Sequence, residues 1–189
     1  MDNIEYLDNF EMALLQKLIG MCRSYDKLNN IFPSSEDIDQ YWKGIAPEYL
    51  ADAVQLVSDY PVVSVAWAAY LGMAVAHGWD SDWSRYSAMK YTDFYGSRGF
   101  DDMDEHIVAD ILNMPLGSSQ AAHLEDMMRR CSELTVQLIR QEQIEPQSVM
   151  AYHIFVRAAR AMYRLGAAME LERMGYKMQP LNIGQGLPS

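Results

Sequence analysis

The sequence predicts an all-α fold: a single-domain helical bundle of about seven to eight helices around a buried central helix at about 61–77. Three observations predict it. The stretch PVVSVAWAAYLGMAVA, residues 61–76, contains Ser64 as its one polar side chain. Elsewhere apolar residues recur at spacings of three and four, the helical period. No segment alternates with period two for long enough to make a strand, and the nearest, PVVSV, runs straight into helical residues.

The central helix is expected to be wrapped by protein and not by lipid. Its apolar run is shorter than the roughly 20 residues of a membrane span. Asp59 precedes it, His77-Gly78-Trp79-Asp80 ends it, and neither end carries Lys or Arg. Ala68, Gly72 and Ala76 make a stripe of small residues on which another helix backbone can lie close. Trp67, Tyr70 and Met73 give bulk to the other sides. Pro61 suits a first turn and Gly78 a stop. His77 shares a face with Met73 and Tyr70 and is expected to bond a backbone carbonyl or water. A role as base or ligand would need a nearby carboxylate or second histidine, and Asp80 or Asp82 could serve only if the chain turns back.

The remaining elements follow in order. Ile4, Leu7, Phe10, Leu14, Leu18, Met21, Tyr25 and Leu28 predict one long amphipathic helix over 3–30, weakened at Gly20 and ended before Pro33. Ser34 and Ser35 offer caps for a short helix ending near Gly44, and Pro47 opens another over 48–58. Beyond Gly78 a helix is expected from about Asp82 to Tyr95, stopped by Gly96. The run FDDMDEHIVADILNM gives the next, with Met103, Ile107, Val108, Ile111 and Leu112 inward, broken at Pro115 and Gly117. Ser118-Ser119 cap a long helix with the seam Leu124, Met127, Cys131, Leu134, Leu138. Glu145-Pro146 turns the chain into a last helix that ends near Met174, with Ile154, Ala158, Met162, Leu165 and Met169 inward. Residues 1–175 are read as one domain and 176–189 as an extended tail.

Composition narrows the function classes. The 189 residues are 50% hydrophobic, with 14 Met and a net charge of −11. That field repels phosphate backbones and anionic lipid, so neither nucleic acid nor membrane is an expected partner. Two cysteines, Cys22 and Cys131, make no disulfide framework and are read as small core residues. The N-terminus MDNIEYLDNF lacks the build of a signal peptide, and a cytoplasmic location is expected.

Catalytic and metal motifs fail on spacing. The residues three before the four histidines are Ala74, Met103, Gln120 and Met150, so no Glu-x-x-His pair exists. The stretch from Asp80 opens like a calcium loop but puts Arg85 and Tyr91 where Gly and Glu are required. Asp102, His106 and Asp110 align on one face, but Asp102 with Glu105 reads more simply as a capping box. No metal and no cofactor is expected.

Two features remain. His153, Arg157, Arg160 and Arg164 form a narrow basic stripe on the last helix, opposite its apolar face. Either they pair with acids such as Glu125, Asp126 or Glu133 on the preceding helix, or they form an anion site, since converging guanidiniums grip carboxylates and phosphates. Residues 79–100 are dense in aromatics, and Trp79, Trp83, Tyr86, Tyr91 and Tyr95 are candidates for an interaction surface. The leading expectation is a non-enzymatic interaction or scaffolding domain that self-associates. The alternative is a protein that binds, or acts on, a small anionic compound, with the arginines as clamp and His153 as acid or base.

Overall fold

The computed structural model describes residues 2–23 and 35–176. Within them the chain is all-α: six α-helices, joined by short 3-10 turns, and no β-strand among the described residues. The helices are α1 (Asn3–Arg23), α2 (Glu36–Ala53), α3 (Pro61–Tyr86), α4 (Met103–His106), α5 (Ser119–Gln141) and α6 (Val149–Arg173). The expected continuation of the first helix past Arg23, the turn at Pro33, the Ser34 cap and the tail from Lys177 onward lie outside the described residues.

α3 and α6 form the centre. α3 is buried from Ser64 to Ala76 except at the half-buried Trp67, and α6 is nearly as deep from Ile154 to Leu171. By length and composition α3 could cross a membrane, but 72% of its most apolar window is covered by the rest of the protein. The two helices run in the same direction, since Gly72 meets Tyr163 and His77 meets Glu170. Their backbones touch through reciprocal glycines. A Cβ on Gly72 would lie 2.8 Å from Ala167 N and nearer still to the Tyr163 carbonyl oxygen. A Cβ on Gly166 would lie 2.6 Å from the Ala69 carbonyl carbon and nearer still to its oxygen. The small-residue stripe is therefore where a helix lies close, with Gly72 at the point of contact.

The other helices flank this pair. α1 lies beside α6 and parallel to it, with Asp8 at Arg157 and Glu11 at Arg160. α2 runs antiparallel to both central helices, with Asp39 at Arg164, Asp37 at Trp79 and Tyr49 at Ser64. α5 descends past them, joining Tyr6 through Glu142 just past its end and Met21 through Cys131. Tyr49 locks α2 to α3: its buried hydroxyl donates to Ser64 O (2.6 Å) and accepts from Ala68 N (3.0 Å), two groups of the helical ladder. Trp42 stacks on Tyr163 at 4.6 Å, and the Tyr163 hydroxyl donates to Ile38 O at 2.8 Å.

Several elements differ from the sequence expectation. The two helices expected on either side of Pro47 are one, because the buried positions Ile38, Trp42, Ile45, Tyr49 and Ala53 keep a helical period straight through the proline. Packing on both sides outweighs the roughly 3 kcal/mol that an interior proline costs. Gly78 does not stop α3. It makes room for the Tyr86 ring, whose nearest carbon would be in the way of any Cβ there. The helix instead breaks at Asp82 (φ −162°, ψ 75°), so no separate helix spans 82–95. Beyond it lie a 3-10 turn at Tyr91–Phe94 and a tight turn in which Gly96 and Gly99 exchange 3.1 Å hydrogen bonds. The helix expected over the next stretch tightens and widens: a 3-10 turn at Phe100–Asp102, the single turn of α4, then a π turn at Ile107–Ile111 that ends at Asn113 (φ 56°). In α5 Leu124, Met127 and Cys131 of the expected seam are buried together with Met128 and Thr135, while Leu134 and Leu138 are half-buried, so the buried face follows the 3.6 period of a straight helix. Ser118 caps α5 as expected, accepting from Ala121 N at 3.1 Å.

Candidate functional site

The basic stripe falls on the face of α6 that looks toward α1 and α2. Glu11 of α1 is buried there and gathers the arginines: it accepts from Arg157 Nη1 at 3.0 Å and from Arg160 Nε at 2.7 Å, and Arg160 Nη2 makes a second bond. Arg157 also meets Asp8, and Arg164 donates to both oxygens of Asp39 at 3.4 and 3.3 Å. The acids expected to pair with the stripe are not its partners. Asp126 and Glu133 bond Arg129 within α5, at 2.6 and 3.3 Å, because α5 packs on a different side of α6. Burial pulls the Arg157 guanidinium down, but its bonds to Asp8 and Glu11 outweigh that and hold it above the usual arginine range. A guanidinium clamp for a free anion needs forks that are open, and these forks already hold carboxylates.

Three of the four stripe residues nevertheless border a concavity. Between α2 and α6 runs a groove of about 630 Å³, with Tyr152, His153, Val156, Arg160 and Arg164 on one wall and Trp42, Lys43, Pro47 and Leu50 on the other. Arg157 turns away to α1. The groove is amphipathic: an apolar floor with edges of both charges, Asp39 among them. Where α2 and α6 reach their common end, Val54, Tyr152 and Val149 are left exposed, Val149 by 75%.

The aromatic segment turns inward. Tyr91 is buried and donates to Asp52 at 2.8 Å, and Tyr95 bonds the same carboxylate oxygen. Burial first, then the bond to Asp52, push the Tyr95 hydroxyl up to about 12, and the same causes push Tyr91 higher. Trp83 packs edge-on against Tyr41 at 5.9 Å, Tyr86 covers Gly78, and Trp79 donates to Asp37 at 3.2 Å beside Tyr176. Four of these side chains seat residues 79–95 on α2, and Tyr86 folds back on α3 itself. None of the five is among the large exposed hydrophobics.

His77 finds its carboxylate on α6, not at Asp80 or Asp82. Its Nδ1 lies 3.1 Å from Glu170, which is fully buried and accepts from Arg173 Nε at 2.8 Å and Nη2 at 2.6 Å. Next to this cluster is a cavity of about 250 Å³ walled by Met73, Met114, Leu124, Met127 and Met169, with Gln120, His123, Glu172 and Arg173 at its edge. Its walls suit a compact apolar group, and the flexible thioethers can repack around one. His106 bonds Asp110 at 2.8 Å, but Asp102 does not join them. Its carboxylate turns back to Ser97 Oγ (2.9 Å) and Arg98 N (2.9 Å), closing the 96–102 turn in place of the expected capping box. Among the described residues no three His, Cys, Asp or Glu side chains converge as metal ligands.

Sequence reasoning passed over Glu11 and Glu170. Each had a signal: Glu11 sits on the core face of its helix with Leu7, Leu14 and Leu18, and Glu170 lies between Met169 and Leu171 at a buried position. An acid on a core face calls for a cation from another element. Comparison of the chain with protein-family models, with curated proteins and with solved structures finds no match.

Proposed function

We propose that the protein is a non-enzymatic helical interaction module that pairs with a second copy of itself, each copy laying the outer face of α1 over the α2–α6 groove of the other. The observation that carries this reading is the groove's open end, where Val54, Tyr152 and Val149 are exposed together beside the apolar floor of Leu50 and Val156. Exposed apolar surface joined to a groove and edged by charge is what interaction sites present. The complementary surface is on α1. Ile4 and Met12 are 65% and 59% exposed and two helical turns apart on one line, so that face offers two apolar anchors to the apolar floor of the groove. In a twofold dimer each copy supplies one α1 face and one groove, and the assembly closes at two chains.

The engagement of the basic groups supports the non-enzymatic part, although His153 on the groove wall meets the Tyr152 ring and no carboxylate in the described residues. The stripe arginines, His77 and His106 are each engaged by a carboxylate within the fold. A small anion at the stripe would have to displace Glu11 or Asp39, which disfavours the alternative expected from the sequence. With α3 covered and the chain at −11, the reading is of a water-soluble, cytoplasmic protein with protein partners.

The test is light scattering of the purified chain at about 100 μM, where a dimer of micromolar Kd is largely assembled. The wild type should give the mass of a dimer. Val149→Asp, Tyr152→Asp and Met12→Asp should each give a monomer with an unchanged melting temperature, since all three side chains are exposed. A strict monomer at that concentration, or a dimer indifferent to all three substitutions, overturns the reading.

A further inference from the structure

The cavity beside the His77–Glu170–Arg173 cluster has two unlike parts. Met73, Met114, Leu124, Met127 and Met169 make its floor, and none of them is more than 7% exposed. They come from α3, α5, α6 and the link that precedes α5. The link is shaped for its part. Asn113 takes a left-handed conformation (φ 56°), and Met114 N donates to Val108 O at 2.9 Å. Met114 is thereby turned inward, while Leu116, two residues on, is 52% exposed. Asparagine adopts that conformation more readily than most residues with a side chain. The mouth is polar. Gln120 and His123 are exposed there, beside Glu172. Arg173 is held at the mouth by two hydrogen bonds to the buried Glu170, at 2.8 and 2.6 Å.

We propose that this cavity is a binding site for a compact, neutral aromatic compound that carries one N–H or O–H donor and is about the size of indole. Volume sets the size. A cavity of about 150 Å³ lined by apolar side chains already takes benzene, and this one, at about 250 Å³, has room for a fused pair of rings. The floor sets the kind of body. Sulfur–aromatic contacts add to ordinary dispersion, so four thioethers around one space favour a π system over an aliphatic body of the same shape. Being unbranched, they also re-form around the outline of the ring. The mouth sets the head. A carboxylate or phosphate would meet Glu172 and an arginine already committed to Glu170, and an ammonium would meet Arg173. An N–H or O–H finds acceptors instead in the Gln120 carbonyl, a His123 ring nitrogen and the Glu172 carboxylate. A mostly apolar recess with a few polar groups at its edge is the usual build of a small-molecule site. It shares no residue with the α2–α6 groove.

Titration of the full-length chain with indole, followed through carbon-13 labels on the methionine methyls, tests this. Of the 14 methionines, Met73, Met114, Met127 and Met169 should carry the ring-current shifts, with each resonance assigned by a single Met→Leu substitution. The shifts should saturate with a Kd below about 1 mM. Gln120→Trp, at the exposed mouth, should weaken binding by about tenfold or more and leave the melting temperature unchanged. Indole-3-carboxylate should bind about tenfold more weakly than indole, and cyclohexanol more weakly than phenol. Four results overturn the proposal: no saturable shift, shifts centred on other methionines, binding indifferent to Gln120→Trp, or a carboxylate or saturated ring that binds as tightly as its counterpart. Methyl shifts report the cavity in one chain or in two, so the outcome is separate from that of the self-association test.

Discussion

Gly72→Ala is expected to destabilise the protein although alanine is the better helix former. The new methyl would sit 2.8 Å from Ala167 N and closer to the Tyr163 carbonyl, whereas carbon contacts are comfortable from about 3.5 Å. Both obstacles are backbone atoms and cannot rotate aside. α3 and α6 must therefore part by roughly 1 Å or more along their most buried contact. Overpacking of this kind costs about 1–3 kcal/mol, and contact with backbone puts it at or beyond the upper end. Alanine's propensity returns about 1 kcal/mol. Parting the two helices also loosens the core on both sides, so a net loss of about 3 kcal/mol follows, or a fall of roughly 6–12 °C in Tm for a chain of this size. Gly166→Ala should behave alike, since its methyl meets the Ala69 carbonyl. Gly20→Ala and Gly44→Ala are the controls: both are helical and exposed, nothing lies within 4 Å of the new methyl, and a gain of about 0.5–1 kcal/mol is expected. Far-UV circular dichroism during urea and thermal unfolding measures all four. Equal gains at all four glycines would refute the close crossing.

Three other perturbations follow from the buried polar groups. Glu11→Gln leaves Arg157 and Arg160 without their buried charge partner and should lower stability by about 3 kcal/mol in urea unfolding, against less than about 1 kcal/mol for the exposed pair partner Asp126→Asn. Tyr49→Phe removes the hydroxyl between Ser64 O and Ala68 N and should cost about 1–3 kcal/mol with no change in secondary structure by circular dichroism. Burial raises the Asp104 carboxyl to about 6, above its unfolded value near 3.9, so the folded state holds this proton longer. The destabilisation is absent below about pH 4, grows as pH rises through the interval and is complete above about pH 6. Asp104→Asn should thus raise stability by about 2 kcal/mol at neutral pH and leave it unchanged at low pH; an equal gain at both would contradict the assignment.

What was legible in the sequence was whatever depends on local pattern. The apolar run at 61–76 marks the central helix, the stripe through Gly72 marks its close contact, and Ser118 marks a cap. The inward face of α6 is also plain from spacing. Punctuation was less dependable, because Pro47 and Gly78 read as breaks while tertiary packing carries the helix through both. The partner of a side chain was least legible. That Arg157 and Arg160 meet Glu11 and that His77 meets Glu170 depends on which helices lie side by side, a fact of topology that spacing along one helix does not contain. The aromatics of 79–95 read as surface for the same reason: the segment folds back on α2, and Asp52, far away in sequence, receives two of its hydroxyls.

The most direct test of the account is the molar mass of the chain by light scattering, in buffer without detergent, over a range of concentrations. The account predicts a chain that stays in solution and rises with concentration from 21.6 kDa toward twice that mass. A mass fixed at one chain throughout would remove the α1-to-groove pairing, and a chain that precipitates unless detergent is added would contradict the burial of α3 as well.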